Sequence, residues 1–326
     1  MDLGWITFFL VDMRVFHTDG FEVPLPDGHR FPMHKYRLVR QALLARGILT
    51  ASQLAVPEAA SDTQLGLVHS AAYLQKVRTG GLTPAEQRRI GFPWSPGLVE
   101  RSARSVGATI AAGRAALGDG LAVTLAGGTH HAYPDRGEGF CVFNDVAVAA
   151  RVLQGEGLAS RVVVLDCDVH QGNGTAAVFR GDPTVYTLSV FGAGNFPFRK
   201  EVSDLDVPVP DGSDDATYLE HVERGVTAAL EAAAADIAFY VAGADPFRDD
   251  RLGRLAVSRS GLHERDRMVF SLCRAWGLPV AVTMAGGYAR NVQDTVEIHI
   301  ATVREAADWS RHASTREPTE EERAPW

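Results

Sequence analysis

The stretch Arg161-Val-Val-Val-Leu-Asp-Cys-Asp-Val-His-Gln-Gly-Asn-Gly174 decides the fold. Its first half is an unbroken apolar, β-branched run, typical of a strand buried on both faces of a parallel sheet. Its second half has two carboxylates and an imidazole within five residues. Because side chains alternate along an extended segment, Asp166, Asp168 and His170 are expected to point the same way, which predicts a divalent-metal site. The alternative is a turn whose acidic residues cap a helix starting near Thr175.

Four more apolar runs have the same character and alternate with helical patterns, as a parallel sheet with crossover helices requires. We predict an α/β fold with a single domain, in which a central, mostly parallel sheet is sandwiched by helices. The predicted strands are 121–125, 161–165, 184–190, 237–241 and 280–284, after a first strand at 5–11. The predicted helices are 34–46, two pieces within 61–77, 98–117, 144–154, 175–179, 216–235, 260–276 and 291–309. The segment 80–96 is predicted to be a loop.

Polar, glycine-rich segments follow all five strands. Since the carboxyl ends of parallel strands meet at one edge of the sheet, these segments predict a single active site there. They are Gly127-Gly-Thr-His-His131, Asp166-Cys-Asp-Val-His170, Phe191-Gly-Ala-Gly-Asn-Phe196, Gly243-Ala-Asp245 and Gly286-Gly-Tyr288.

Composition excludes several other classes of protein. The net charge of −8, without a basic stripe, argues against a nucleic-acid surface. There is no apolar run of membrane-spanning length and no basic leader with a cleavage site at the start, so we expect neither secretion nor a membrane span. The three cysteines are far apart and lie in apolar stretches, which favours buried free thiols and a cytoplasmic location.

Four separated motifs together resemble the histone deacetylase superfamily of arginase-like zinc amidohydrolases, and within it the class IV branch, from a bacterial source. The resemblance runs from about Phe9 to the last helix and implies a deacetylase domain over residues 1–310 followed by a flexible tail, 311–326. The motifs are Gly127-Gly-Thr-His-His-Ala with Asp135-Arg-Gly-Glu-Gly-Phe-Cys141, Asp166-Cys-Asp-Val-His-Gln-Gly-Asn173, Ala244-Asp-Pro with Asp250-Arg-Leu-Gly253, and Ala285-Gly-Gly-Tyr288.

The resemblance implies a zinc site formed by Asp168, His170 and Asp245. Two carboxylates and one imidazole also suit Fe(II). It further implies a potassium ion bound by Asp166, Ser189 and main-chain carbonyls near Asp168 and His170. An isolated acidic residue after a strand as apolar as 237–241 would be costly to bury unpaired, which independently favours a ligand role for Asp245.

The resemblance also implies the catalytic groups. His131 would be the general base that takes a proton from the attacking water and returns it to the amine, while His130, held by Asp166, would act electrostatically. Tyr288 would stabilise the tetrahedral oxyanion. The segment of Gly139 and Phe140, together with Phe196, would line a narrow channel for the acyl-lysine stem.

Two positions depart from the commoner family pattern. Gln171 stands where many members have a further histidine, and Asn173 stands where many have the aspartate that partners the second catalytic histidine. Because an amide stabilises imidazolium less than a carboxylate does, we expect His131 to have a lower pKa than in an aspartate-paired homologue.

The sequence alone is compatible with several functions. The leading one is zinc-dependent removal of an acetyl or longer fatty acyl group from acyl-lysine on a protein. The alternatives are a deacetylase of acetylpolyamines or similar small amines, a two-metal ureohydrolase, and a metal-stabilised binding module without activity. The natural substrate and the oligomeric state are not predicted.

Overall fold

Eight strands form one sheet, and every neighbouring pair is parallel, in the computed structural model, which describes residues 13–313. The strand order is β2-β1-β3-β8-β7-β4-β5-β6. The strands are β1 (Val15–Phe16), β2 (Leu54–Ala55), β3 (Leu121–Thr124), β4 (Val162–Asp166), β5 (Val185–Gly192), β6 (Leu205–Val209), β7 (Ile237–Ala242) and β8 (Val280–Met284).

Helices cover both faces of the sheet and bury two apolar cores. Because successive side chains of a strand point to opposite faces of the sheet, β4 contributes to both cores: Val163 and Leu165 belong to one, and Val162 and Val164 belong to the other. The first core lies under α1 (Lys35–Ala45), α8 (Asp215–Ala233), α9 (Arg259–Ala275) and α10 (Val292–Ala313). The second lies under α2 (Asp62–Leu65), α3 (Ala71–Thr79), α5 (Pro96–Asp119), α6 (Asp145–Gly155) and α7 (Asn173–Phe179). A further helix, α4 (Pro84–Ile90), precedes α5.

The predicted α/β fold with a parallel sheet between two layers of helices is confirmed, and the five strands read from the apolar runs are all present. The predicted strand 5–11 and residues 314–326 of the predicted tail lie outside the described residues, whereas residues 311–313, which were also assigned to that tail, belong to α10. Three strands were not predicted. Two of them contain only two residues, and β6 carries Asp206 and Pro208, which interrupt its apolar pattern.

The prediction of a loop over 80–96 is wrong, because α4 lies within it. Its start carries a local signal. Thr83 accepts a hydrogen bond from the backbone of Glu86, and the Glu86 side chain accepts one from the backbone of Thr83, so a capping box forms with Pro84 at the first helical position. Among residues 13–313, no helix is both long and apolar enough to cross a membrane.

Candidate active site

Three predicted metal ligands meet at the carboxyl edge of two neighbouring strands. Asp168 and His170 follow β4, and Asp245 follows β7, which pairs with β4. One potential ligand atom from each lies within 4.8 Å of the others, and all three side chains are buried. No other group of this kind occurs among residues 13–313.

The charges of this cluster fit a divalent cation. His170 Nδ1 lies 2.9 Å from Asp168 Oδ1 and 3.2 Å from Asp245 Oδ2. The second contact is not well aligned as a hydrogen bond, and Asp245 Oδ2 is a buried oxygen without a hydrogen-bond partner. Because a buried carboxylate oxygen is costly to leave unpaired, this donor set calls for a bound ion.

The pKa values of the metal-free cluster follow from burial and from these contacts. Burial disfavours the charged imidazole, but the close contacts with the Asp168 and Asp245 carboxylates outweigh it and raise the pKa of His170 to about 10. Burial and the neighbouring Asp168 carboxylate raise the pKa of Asp245. The site therefore holds protons that a cation displaces when it binds.

Main-chain groups orient the ligands at close range. The N–H of Gly286 donates to Asp168 Oδ2 at 2.8 Å, and the N–H of Val169 donates to Asp245 Oδ1 at 3.0 Å. A Cβ atom on Gly286 would lie 1.8 Å from Asp245 Oδ2, and one on Gly243 would lie 2.6 Å from the Asp168 Cα. Only glycine therefore permits this approach of the loops after β7 and β8 to the carboxylates.

The rings of the two adjacent histidines lie in contact beside the cluster, with centroids 4.1 Å apart and their planes tilted by 48°. Nδ1 of His130 lies 2.6 Å from Asp166 Oδ2. Burial alone would lower the pKa of His130, but the charges of Asp166 and Asp168 raise it to about 9. Burial, followed by the charges of His130 and His170, holds the pKa of His131 well below its usual value. The pair therefore combines a charged imidazole with a neutral one.

A chain of hydrogen bonds leads away from His131. Its Nδ1 lies 2.5 Å from Asn173 Oδ1, and Asn173 Nδ2 donates to the Tyr133 hydroxyl at 3.1 Å. The Tyr133 hydroxyl donates to Glu201 Oε1 at 3.1 Å, and Glu201 also pairs with Arg180. Since the amide oxygen can only accept, His131 carries its proton on Nδ1, and Nε2 keeps the lone pair of a base.

Two buried acids that the sequence reasoning missed hold the loops in place. Asp145 accepts hydrogen bonds from the N–H groups of Gly128 and Thr129 and from the Thr129 hydroxyl, and it thereby fixes the segment before the two histidines. Asp250 accepts the Tyr288 N–H at 2.6 Å. Asp250 belongs to the motif Asp250-Arg-Leu-Gly253, although no role was predicted for it. Asp145 follows no strand, and the only feature of the sequence that points to it is its position shortly after the motif that ends at Cys141.

A cavity of about 570 Å³ opens over the cluster. The buried side chains of His131, His170 and Tyr288 belong to its lining, as do the predicted channel residues Gly139, Phe140 and Phe196. The Phe196 ring stands edge-on to His131 at 5.1 Å. Gly139 packs against the same histidine, since a Cβ atom there would lie 2.6 Å from His131 Cδ2.

Two of the predicted potassium ligands, Asp166 and Ser189, lie on neighbouring strands. Asp166 pairs with Ser189 in the register of β4 and β5. The Asp166 side chain, through Oδ1, accepts the N–H of Asp168 at 3.1 Å, and the Ser189 hydroxyl accepts the N–H of Gly172 at 3.2 Å.

Residues 29–303 match the model of the histone deacetylase domain. The chain belongs to the histone deacetylase family. An uncharacterised protein of Picosynechococcus is 46% identical over 90% of this chain and 98% of its own length. Histone deacetylase 2 of Arabidopsis thaliana is 30% identical over 82% of this chain and 73% of its own, and the acetoin utilization protein AcuC of Staphylococcus aureus is 28% identical over 80% and 72%.

Solved structures show the same histone deacetylase fold. A homologue from Aquifex aeolicus superimposes with a TM-score of 0.77, at 20% identity over 91% of this chain and 84% of its own. A homologue in complex with SAHA gives a TM-score of 0.75, at 21% identity over 95% and 86%. The protein is a hydrolase of the deacetylase type, acting on amides. Members of this family are typically metal-dependent, and Asp168, His170 and Asp245 form a cluster that could hold a metal ion.

Proposed function

We propose that this histone deacetylase family member removes an acetyl or longer fatty acyl group from acyl-lysine on proteins, with a single Zn²⁺ held by Asp168, His170 and Asp245. The observation that carries the proposal is that His170, a member of this ligand cluster, lines one cavity together with His131 and Tyr288. Fe²⁺ is the alternative ion, because two carboxylates and an imidazole suit both metals.

Held by Asp168, His170 and Asp245, the ion would supply Lewis acidity for the activation of water and of the acyl carbonyl. His131 takes the proton of the attacking water at Nε2 and gives it to the leaving amine, while Asn173 holds the proton on Nδ1. His130, paired with Asp166, supplies a positive charge close to the reacting atoms. The Tyr288 hydroxyl donates a hydrogen bond to the oxyanion, and this donor is worth about 3 kcal/mol.

Tyr288 is positioned for that role by its surroundings. Its backbone is held by Asp250, and its ring lies 5.8 Å from the Phe140 ring. Burial, together with the charges of Asp245 and Asp168, raises the pKa of its hydroxyl well above the usual value, so the group remains a donor.

Further parts of the proposal concern ions, branch and location. Asp166 and Ser189 would contribute to a structural K⁺ site. The Gln171-Gly-Asn173-Gly form supports assignment to the class IV branch, and three buried free thiols fit a cytoplasmic location. One three-residue cluster among residues 13–313 supports one ion per chain; two tightly held ions would favour a ureohydrolase.

An acyl-chain panel on purified enzyme tests the proposal. Acetyl-lysine peptide, myristoyl-lysine peptide and acetylputrescine are compared under steady-state conditions, beside His131→Ala and Tyr288→Phe. We expect hydrolysis of an acyl-lysine peptide that both substitutions reduce by at least about 100-fold. Hydrolysis of acetylputrescine alone would establish a small-molecule deacetylase, and hydrolysis of none of the three would contradict the proposal.

A further inference from the structure

The opening of the active-site cavity is strongly basic, although the protein as a whole is acidic. Four of the 16 lining residues are arginines, and only one, Glu138, is acidic. In the whole chain, acidic residues outnumber basic ones by 40 to 32. We call Arg30, Arg89, Arg251 and Arg254 the rim arginines.

The rim arginines come from separate parts of the fold. Arg30 precedes α1, Arg89 lies in the last turn of α4, and Arg251 and Arg254 lie in the loop after β7. All four are exposed. Their convergence on one opening is therefore a product of the tertiary structure.

Most of this positive charge is not neutralised locally. Arg254 pairs with Asp211 at 3.3 Å. Within residues 13–313, Arg30, Arg89 and Arg251 have no carboxylate within 4.0 Å; the guanidinium of Arg251 donates to the Arg290 main-chain oxygen at 3.2 Å. The half-buried Glu138 is the one carboxylate of the lining and stands against four guanidinium groups; burial raises the pKa of its carboxyl, while the charges of Arg136 and Arg89 lower it. A cavity opening with uncompensated charge of one sign attracts ligands of the opposite sign.

An aromatic side chain lies beside these charges. Phe198 also lines the cavity, and it is 83% exposed, with its ring edge-on to Phe196 at 6.3 Å. Because its ring is exposed at the cavity, it offers contact area to substrate atoms beyond the acylated side chain. Exposed aromatic and arginine side chains together are typical of surfaces that bind peptides.

We propose that the physiological substrate is an acyl-lysine flanked by acidic residues on a protein, whose carboxylates the rim arginines bind. This rests on the proposed deacylase activity. The same positive opening disfavours a cationic acetylpolyamine and a lysine-rich tail, since each would bring like charges to the rim. Either a peptide or a small molecule could present an anionic group close to the scissile amide. The exposed Phe198 favours a peptide, because it offers further contact area.

The test compares twin acetyl-lysine peptides that differ only in flanking aspartates or flanking lysines, alongside acetylputrescine and N-acetyl-aminocaproate as small cationic and anionic amides. We expect kcat/KM to be at least about 10-fold higher for the acidic peptide than for its basic twin, with the ratio falling as salt is added. The acidic peptide should also exceed N-acetyl-aminocaproate.

Arg89→Glu and Arg88→Glu form a matched pair on α4, because Arg88 is exposed on the same helix but lines a different groove. Arg89→Glu should reduce the acidic-to-basic ratio about threefold or more, and Arg88→Glu should leave it unchanged. Equal turnover of the twin peptides would overturn the inference, as would N-acetyl-aminocaproate outperforming both. Turnover of no amide at all would instead contradict the deacylase activity itself.

A separate observation concerns the amide at position 173. A carboxylate offers equivalent oxygens to His131, whereas an amide has an accepting end and a donating end. If the Asn173 amide rotated by half a turn, Nδ2 would face His131 Nδ1. The imidazole proton would then move to Nε2, and the base would lose the lone pair that accepts a proton.

The orientation of the amide is determined by its neighbours. Asn173 Nδ2 needs an acceptor, and the Tyr133 hydroxyl can accept because its own proton is donated to Glu201. The backbone of Glu201 is in turn held by the Gln171 side chain, which accepts its N–H at 2.9 Å and donates to its carbonyl oxygen at 2.8 Å. Both departures from the commoner family pattern, Gln171 and Asn173, therefore belong to one hydrogen-bonded chain.

We infer that Tyr133 and Glu201 are positioning residues that fix the tautomer of His131 through Asn173. Tyr133→Phe should lower kcat about 10-fold with little change in KM. In an Asn173→Asp background the same substitution should cost much less, because a carboxylate needs no such orientation. Glu201→Gln, which leaves Tyr133 in place, should also lower kcat.

Heteronuclear NMR of histidine-labelled protein provides a readout that is independent of turnover. The His131 signals should report the Nδ1–H tautomer in the parent protein and a mixture of tautomers in Tyr133→Phe. An equal loss of kcat from Tyr133→Phe in both backgrounds, or an unchanged tautomer in that variant, would overturn the inference.

Discussion

Gly286→Ala tests whether the close approach of the β8 loop determines the geometry of the metal site. The added Cβ atom would lie 1.8 Å from Asp245 Oδ2 and 2.7 Å from Asp168 Oδ2. Carbon and oxygen atoms that are not bonded rarely approach within about 3 Å, so the carboxylate and the loop must move apart by more than about 1 Å. Metal–ligand distances tolerate only about 0.2 Å.

We therefore expect Gly286→Ala to bind far less than one ion per chain and to lose at least about 100-fold in kcat/KM. The overpacking should also lower the free energy of unfolding by about 1 to 3 kcal/mol. Elemental analysis of the purified protein measures the ion, steady-state kinetics measure the activity, and thermal unfolding measures the stability.

Gly155→Ala is the matched control. Gly155 is the exposed last residue of α6, and a Cβ atom there would meet nothing within 4 Å. This variant should keep its ion and its activity, with stability equal to or slightly above that of the parent protein. A Gly286→Ala protein that retained both the ion and full activity would refute the reasoning.

Three further predictions concern the catalytic groups and the ion. Tyr288→Phe should lower kcat by about 100- to 1,000-fold with little effect on stability, since the ring keeps its contacts with Phe140; kinetics and thermal unfolding measure this, and a kcat near the parent value would count against the oxyanion role. Asn173→Asp should raise the pKa of His131, whose neutral form is the base, so the acidic limb of the kcat/KM profile should move to higher pH; a limb that stays in place contradicts this expectation. Adding Zn²⁺ to metal-stripped protein near neutral pH should release protons, because the pKa of His170 is raised to about 10 without an ion and the metal needs neutral imidazole. The apparent affinity for Zn²⁺ should then rise with pH. Calorimetry in buffers of different ionisation enthalpy measures the proton release, and a binding enthalpy that is the same in every buffer would contradict it.

Local sequence was sufficient to predict five of the eight strands and the clustering of the three proposed metal ligands. Buried parallel strands have continuous apolar runs, and the residues directly after them lie at one edge, so Asp168, His170 and Asp245 could be assigned to one place before any contact was known. The helix α4 could have been predicted by the same means, because Thr83, Pro84 and Glu86 form a local capping signal.

Tertiary structure alone decided which groups from other elements surround the catalytic histidine and the opening of the cavity. Glu201 reaches His131 through two intervening side chains, and the rim arginines meet from three separate segments, although the chain shows no basic stripe. Such contacts depend on how loops pack against one another, and they cannot be predicted from a periodic pattern in the sequence. The sequence by itself determined which side chains lie at the edge of the sheet, because strand geometry is local. The packing of distant loops determined how those side chains are oriented, which of them are protonated, and the positive charge of the cavity opening.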